Sequence, residues 1–316
     1  MKIAPRLPHL RRGSSLIAVF WLMSILSLAV FTAVRLLYYE VDLAANQVHG
    51  TKARQLAEMG IAIGTNQVVE RDEPLLYQEF DGGIEGFDVT ITSEGSRFNI
   101  NALLAPRPDT GQVDKAFLRE LFASWGLEPE LSEELVDALV DWVDEGELEE
   151  NKGAERQTYE AMGFINRPFD RPFYSLDEMR QVRGLDQLEY LYPDWRRWFT
   201  IWSSGGLDVN EADPELIAAA AEVNIDEAQS VQDRVVGLDG IRGTEDDSPF
   251  NSSTEVMDYL GVPDAQRALV EPRLTANDPT SRIESVGWSG DIRRRIILIV
   301  RNRNSGRPSI LERKEE

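Results

Sequence analysis

The segment best suited to chemistry is Asp239-Gly240-Ile241-Arg242-Gly243-Thr244-Glu245-Asp246-Asp247. Its paired glycines permit a tight loop, and carboxylates at both ends can converge with backbone carbonyls on Ca²⁺, which takes roughly six to eight oxygens. The spacing is not that of an EF-hand. A second acidic run extends from Asp141 and Asp144 through Glu145, Glu147, Glu149 and Glu150 to Glu155. From Glu128 to Glu150 there are eleven acidic residues and no basic one, which suits a hard cation or a solvated helix end. A carboxylate pair also suits a glycosidase. That chemistry needs one carboxyl with a raised pKa in a pocket, and nothing in the sequence isolates such a pair.

Other site chemistries are excluded by composition. The chain has no cysteine and only two histidines, His9 and His49, which removes disulfides, cysteine-ligated zinc, thiol catalysis and nearly every His-dependent site. With 33 Lys+Arg against 55 Asp+Glu, the net charge of −22 argues against a nucleic-acid partner, because phosphate recognition needs a basic surface. At 316 residues, with 42% apolar and 28% charged, the chain is globular on average and long enough for two domains.

The elements that must position these loops begin with one extreme segment. Ser14 to Val34 holds no charged residue over 21 positions, enough for a helix to cross a bilayer. Lys2, Arg6, Arg11 and Arg12 precede it, which predicts the N-terminus in the cytoplasm and the bulk of the chain across the membrane. A removable signal peptide is the competing reading, with Ser27-Leu28-Ala29 as its cleavage site and a product beginning at Val30. Apolar residues keep recurring at three- and four-residue spacing to Val69, and no proline falls between Pro8 and Pro74. One helix from near Ser14 to near Glu70 is therefore expected, with Gly60 and Gly64 as weak points or sites of close packing.

Beyond it, Phe87 to Thr92 alternates like a strand, with Arg97 to Ile100 as a short return strand after a turn at Glu94-Gly95. Strand patterns resume only at Arg282–Trp288, Ile292–Val300 and Ser309–Leu311. The text between is helical: Lys115–Trp125, Glu133–Val143, a helix capped by Ser175, Pro214–Val223, Asp226–Val236 and Ser253–Leu260. The fold class is thus α+β, with a helical domain inserted into an antiparallel sheet. Expected bounds are 1–13 for a leader, 14–72 for the long helix, 73–102 for the first strands, 103–278 for the insert and 279–316 for the closing strands. The aromatic run Tyr190, Tyr192, Trp195, Trp198, Phe199 and Trp202 is expected in the core and not as a stacking platform. Arg97-Phe98-Asn99-Ile100-Asn101 is echoed by Gly206-Leu207-Asp208-Val209-Asn210, each leading into a helix. The second copy looks like the entry to a helix-hairpin-helix or SAM-like unit, but its acidic surroundings would repel DNA. The arginines of the closing strands read as a solvated face or edge protection.

Arg11-Arg12-Gly13 followed at once by Ser14 and the apolar run resembles the class III signal of type IV pilins and type II secretion pseudopilins. In those families a prepilin peptidase cuts after the glycine and the apolar helix stays in the mature protein, so the resemblance makes Gly13 and Ser14 the processing site. Most members carry glutamate at the fifth mature position, where this chain has Ala18. Four further blocks, in order, are similar to general secretion pathway protein K, the large minor pseudopilin: Ser96 to Leu104, Leu135 to Asp144, Phe173 to Glu178 with Val182-Arg183-Gly184, and Leu207 to Asn210. That family commonly lacks the glutamate too. The resemblance implies a non-catalytic subunit of the inner membrane, single-pass and largely periplasmic. It would cap a pseudopilus beside I- and J-type minor pseudopilins, on an inner-membrane assembly platform. It also implies calcium, with Asp239, Asp246 and Asp247 as side-chain ligands of the first loop. Asp141 and Asp144 serve in the second, although Arg156 and Gln157 stand where the family has acidic residues before Tyr159. A membrane-anchored hydrolase and a calcium-dependent binding module are the alternatives.

Overall fold

The computed structural model describes residues 14–240, 242 and 244–316. The basic leader and Gly13 lie outside the described residues, as do Ile241 and Gly243 of the first acidic loop.

The long apolar periodicity becomes helix α1, Ser14–Gly64, of 51 residues, about 77 Å at 1.5 Å per residue. Its apolar side chains from Leu16 to Leu43 are exposed, and the helix is long and apolar enough to cross a membrane. Its second half packs on a sheet. The helix stops at Gly64, short of the expected end near Glu70, because a buried guanidinium replaces the next turn. Arg303 donates through Nε to Gly64 O at 2.7 Å and through Nη2 to the carbonyls of Asn66 and Val69. Carbonyls left without helical partners are satisfied there by one side chain.

The sheet consists of β1 (Tyr77–Phe80), β2 (Glu85–Ser93), β7 (Thr280–Ser289), β8 (Ile292–Arg301) and β9 (Ser309–Glu315), antiparallel in that order. β2 and β7 pair over nine positions although the whole insert separates them in sequence. Alternation places Phe87, Val89, Ile91, Ile283, Ile296, Leu298 and Val300 under α1 as a small core. The helix comes unusually close because the contact is built from small residues. A Cβ on Gly287 would lie 2.1 Å from Ala53 O, and one on Gly60 would lie 2.2 Å from Ser285 Oγ. Nearer the apolar half of α1, His49 Nδ1 bonds Ser289 Oγ at 2.8 Å and Lys52 pairs with Glu85 at 2.7 Å. The edge strand β9 carries charges on both faces, with Arg54 bound to Glu315 at 3.1 Å, as edge protection requires.

The expected return strand at Arg97–Ile100 does not join this sheet. A 3₁₀ turn at Glu94–Ser96 redirects the chain. Phe98–Asn99 (β3) instead pairs in parallel with Phe199–Thr200 (β4), deep in the insert. The echo noted in sequence recurs structurally: Leu207–Asp208 (β5) pairs in parallel with Leu274–Thr275 (β6).

The likeness of the two halves goes further. Asn101 holds the backbone of Phe173 from both sides, Nδ2 to O at 3.0 Å and N to Oδ1 at 2.8 Å. Asn210 does the same to Phe250, at 2.9 Å and 2.9 Å. Each phenylalanine opens a Phe-x-Ser-x-x-Glu segment, in which Ser175 or Ser252 caps a short helix by accepting from the backbone N–H of Glu178 or Glu255, 3.2 Å in both. Those helices are α6 (Leu176–Met179) and α10 (Ser253–Tyr259), with α7 (Leu185–Leu191) and α11 (Asp264–Val270) behind them. Ahead of them stand α2 (Ile100–Leu104), α3 (Lys115–Ser124), α4 (Pro129–Val143) and α5 (Arg156–Ala161) in the first half. The second half has α8 (Pro214–Ala221) and α9 (Ile225–Val235). The latter two form a helical hairpin whose turn places Glu222, not glycine, at a left-handed φ of 56°.

One core runs through both halves and holds Trp142 and, from the aromatic run, Trp195, Trp198 and Phe199 as expected, whereas Tyr192 and Trp202 are half-buried and Tyr190 is exposed. Arg273 joins the halves: it binds Asp114 and Glu222, each at 2.7 Å, with its guanidinium 4.5 Å from the Phe117 ring centroid.

Candidate metal centres

The two acidic loops occupy the same place in the two halves, after α4 in one and after α9 in the other. In the loop after α9, Gly237 (φ 64°) turns the chain over Asp246, whose carboxylate lies 2.4 Å from where a Cβ of Gly237 would be. Asp246 Oδ2 accepts from Leu238 N at 2.6 Å and Asp239 N at 3.3 Å, and Oδ1 accepts from Thr244 Oγ1 at 2.8 Å. The Thr244 hydroxyl, then the Leu238 N–H, hold the Asp246 carboxyl below its usual pKa, so it stays ionised. Asp239, Asp246 and Asp247 each bring an oxygen within 4.8 Å of the others. The sequence-derived trio is therefore one cluster, partly exposed and open to a hydrated cation.

The loop after α4 is arranged differently. Asp141 is fully buried at the end of α4, where Oδ1 accepts from Glu150 N at 3.1 Å and Oδ2 from Ala154 N at 2.7 Å. Only glycine fits at position 153, since a Cβ would lie 1.8 Å from Asp141 Oδ2. Burial pushes the Asp141 carboxyl up to about 6 against those two hydrogen bonds, and the charges of Asp144 and Glu150 add to it. Glu155 is pushed up to about 7, first by burial and then by the Asp141 charge. Its Oε1 is buried with no hydrogen-bond partner, as is Oδ1 of Asp170. Asp144 sits at the rim, accepting from Gly146 N at 2.9 Å.

Buried carboxylate oxygens without donors, beside further carboxylates, suit a divalent cation, which would supply the missing positive charge. Asp170 escaped the sequence reading because it lies beyond α5, near no other acid in the chain. Proximity to Glu155 and Asp144 arises only once Arg156–Ala161 folds back. Neither Asp141 nor Glu155 lines the neighbouring cavity of about 910 Å³, whose wall carries Asp144, Glu145 and Glu150 instead.

A third buried carboxylate lies where the insert meets the sheet. Asp208 is 4% exposed and accepts from Asp278 N at 2.8 Å and Asn210 N at 3.1 Å. Burial raises its pKa to about 6, opposed by the Asp278 N–H, with the Glu211 and Asp278 charges adding. An acid with a folded pKa above its unfolded value penalises the folded state when ionised. Stability is therefore gained as pH falls through about 6 toward the unfolded range near 4, and lost as pH rises. Asp141 and Glu155, also raised, act in the same direction, so denaturant midpoints measured with excess chelator across that window should show the summed gain, and Asp208→Asn should remove only the Asp208 share of it.

Residues 96–202, the first half of the insert with its leading turn, match the family described as type II secretion system (T2SS), protein K. Type II secretion system protein K of Pseudomonas aeruginosa is 25% identical over 265 residues, covering 75% of this chain and 77% of that protein. The fold is similar to that of a chain in the crystal structure of the GspK-GspI-GspJ complex from the type 2 secretion system of enterotoxigenic Escherichia coli. That match has a TM-score of 0.60 and 15% identity, over 90% of this chain and 99% of the other. With the apolar helix continuous into the sheet, and the insert between β2 and β7, the chain is similar to protein K of type II secretion systems in the first half of its insert and in its overall fold.

Proposed function

We propose that this chain is a minor pseudopilin that caps a periplasmic pseudopilus and promotes its assembly for protein export, with no catalytic role. The observation that carries this reading is α1: one unbroken helix, bare and apolar along its first half and docked on the sheet along its second. The first half would lie in the inner membrane with its N-terminus in the cytoplasm, after cleavage by a prepilin peptidase between Gly13 and Ser14. The solved relative of similar fold is bound to GspI and GspJ, which supports I- and J-type minor pseudopilins as companions of this chain, assembled on the inner-membrane platform. The bulk of the insert would leave no room for a further subunit above it. Calcium would be held by Asp239, Asp246 and Asp247 in one loop and by Asp141 and Asp144, with Glu155, in the other. Its role there is to neutralise clustered carboxylates and fix the loops.

Ala18 agrees with the tip position. A carboxylate in hydrocarbon costs about 3 kcal/mol unless it meets a partner, and a first subunit has no earlier neighbour to supply one. Ala18→Glu, introduced into a strain lacking the native copy, should lower secretion of the system's exported protein at least tenfold with the variant still present in the membrane. Full secretion by that variant would contradict the tip placement.

A further inference from the structure

The outer face of the sheet, opposite α1, is covered unevenly. Ile297 and Ile299 are buried beside the insert, but toward the β7–β8 turn the face is open. There the strand register lines up Glu79, Gly86, Trp288 and Arg293 as one row across four strands, and it sets Tyr77 opposite Asp88 in the next row.

The row is built around an indole. Gly86 makes room for it, since a Cβ there would lie 2.3 Å from Trp288 Cζ2. Trp288 Nε1 donates to Gly83 O at 3.1 Å, which fixes the ring over the glycine. The Tyr77 ring stands beside it, centroids 5.9 Å apart and tilted by 36°. Arg293 places its guanidinium 5.8 Å from the indole centroid.

Among the described residues no carboxylate lies within salt-bridge distance of Arg293, whereas its neighbour on the same face, Arg295, is held by Glu284 at 3.2 Å. These groups enclose a shallow cavity of about 410 Å³, with Glu79 and Asp88 as acceptors on its rim, a volume suited to a small ligand.

An immobilised aromatic face stacks on the apolar face of a pyranose, carboxylates accept its hydroxyls, and a free guanidinium takes an anionic oxygen pair. We infer that Trp288, Tyr77 and Arg293 form a binding site for a carboxylate-bearing saccharide. It lies on the half of the sheet nearest the apolar end of α1. The inference is independent of the calcium loops and of the position in a fibre.

The test uses the full chain in a detergent without a sugar headgroup, titrated calorimetrically. N-acetylmuramic acid, which carries a lactyl carboxylate, is compared with N-acetylglucosamine, which does not. The acidic sugar should bind at least tenfold more tightly. Arg293→Gln, an exposed side chain away from both cores, should abolish that preference and leave the weaker binding. Trp288→Ala should weaken both sugars at least tenfold. Equal affinity for the two sugars, a preference that survives Arg293→Gln, or no saturable binding of either would overturn the proposal. So would a face that binds no sugar and is shielded from surface labelling only when companion subunits are added, which would make it a protein interface.

Discussion

Gly287→Val should lower the unfolding free energy by about 3–5 kcal/mol, among the largest losses a single substitution produces. The new side chain would begin 2.1 Å from Ala53 O and 2.4 Å from Ala57 N, which are helix backbone and cannot swing aside. α1 would have to lift from β7, uncovering the core of Phe87, Val89, Ile283 and Ile296. The measurement is the denaturant midpoint of the full chain in micelles. The control is Gly111→Ala, where the left-handed φ of 67° adds backbone strain but no atom lies within 4 Å of the added carbon. It should cost about 1 kcal/mol. Equal midpoints for the two variants would contradict the close docking of helix and sheet.

Calcium should produce the second large effect. A cation that binds only the folded chain stabilises it by about 2.7 kcal/mol at a hundredfold excess over its Kd. For a soluble body of this size that corresponds to a rise of about 6–10 °C in Tm. Asp246→Ala should reduce the rise by removing an oxygen shared by the Asp239 cluster. Glu155→Gln should act in both directions. Without calcium it relieves a buried charge that has no donor at Oε1 and raises Tm; with calcium it removes a ligand and loses part of the increment. Scanning calorimetry of the wild type and both variants, with chelator and with millimolar calcium, checks this. A Tm unmoved by calcium in the wild type would dismiss both loops as metal centres.

Much of this architecture is legible in the chain because its signals are local. Charge-free length marks α1, alternation marks β2, a run rich in Ile, Leu and Val marks β8, and the Ser175 cap marks α6. The Asp239 trio was readable because the three carboxylates sit within one loop. Other features depend on where the fold brings distant residues. Arg97–Ile100 has a strand's alternation, but its partner is Phe199–Thr200, a hundred residues away, and no local pattern announces a parallel pairing of two residues. The end of α1 is decided by Arg303, from the opposite end of the chain. β1 went unseen because Tyr77–Phe80 is short and only half alternating. The Phe-x-Ser-x-x-Glu repeat was present in the text at Phe173 and Phe250, yet only the matching grip of Asn101 and Asn210 on those residues gives it meaning. Asp170 joined Glu155 for the same reason, through a chain reversal that leaves no periodic trace.

The most direct test is the N-terminus of the protein purified from membranes of cells with an active prepilin peptidase, read by mass spectrometry. A tip subunit anchored by its own retained helix must begin at Ser14, with its amino group methylated as in related pilin-like proteins. A polypeptide beginning at Val30 and recovered in the soluble fraction would mean that the helix is a discarded signal, and would contradict the account at its root.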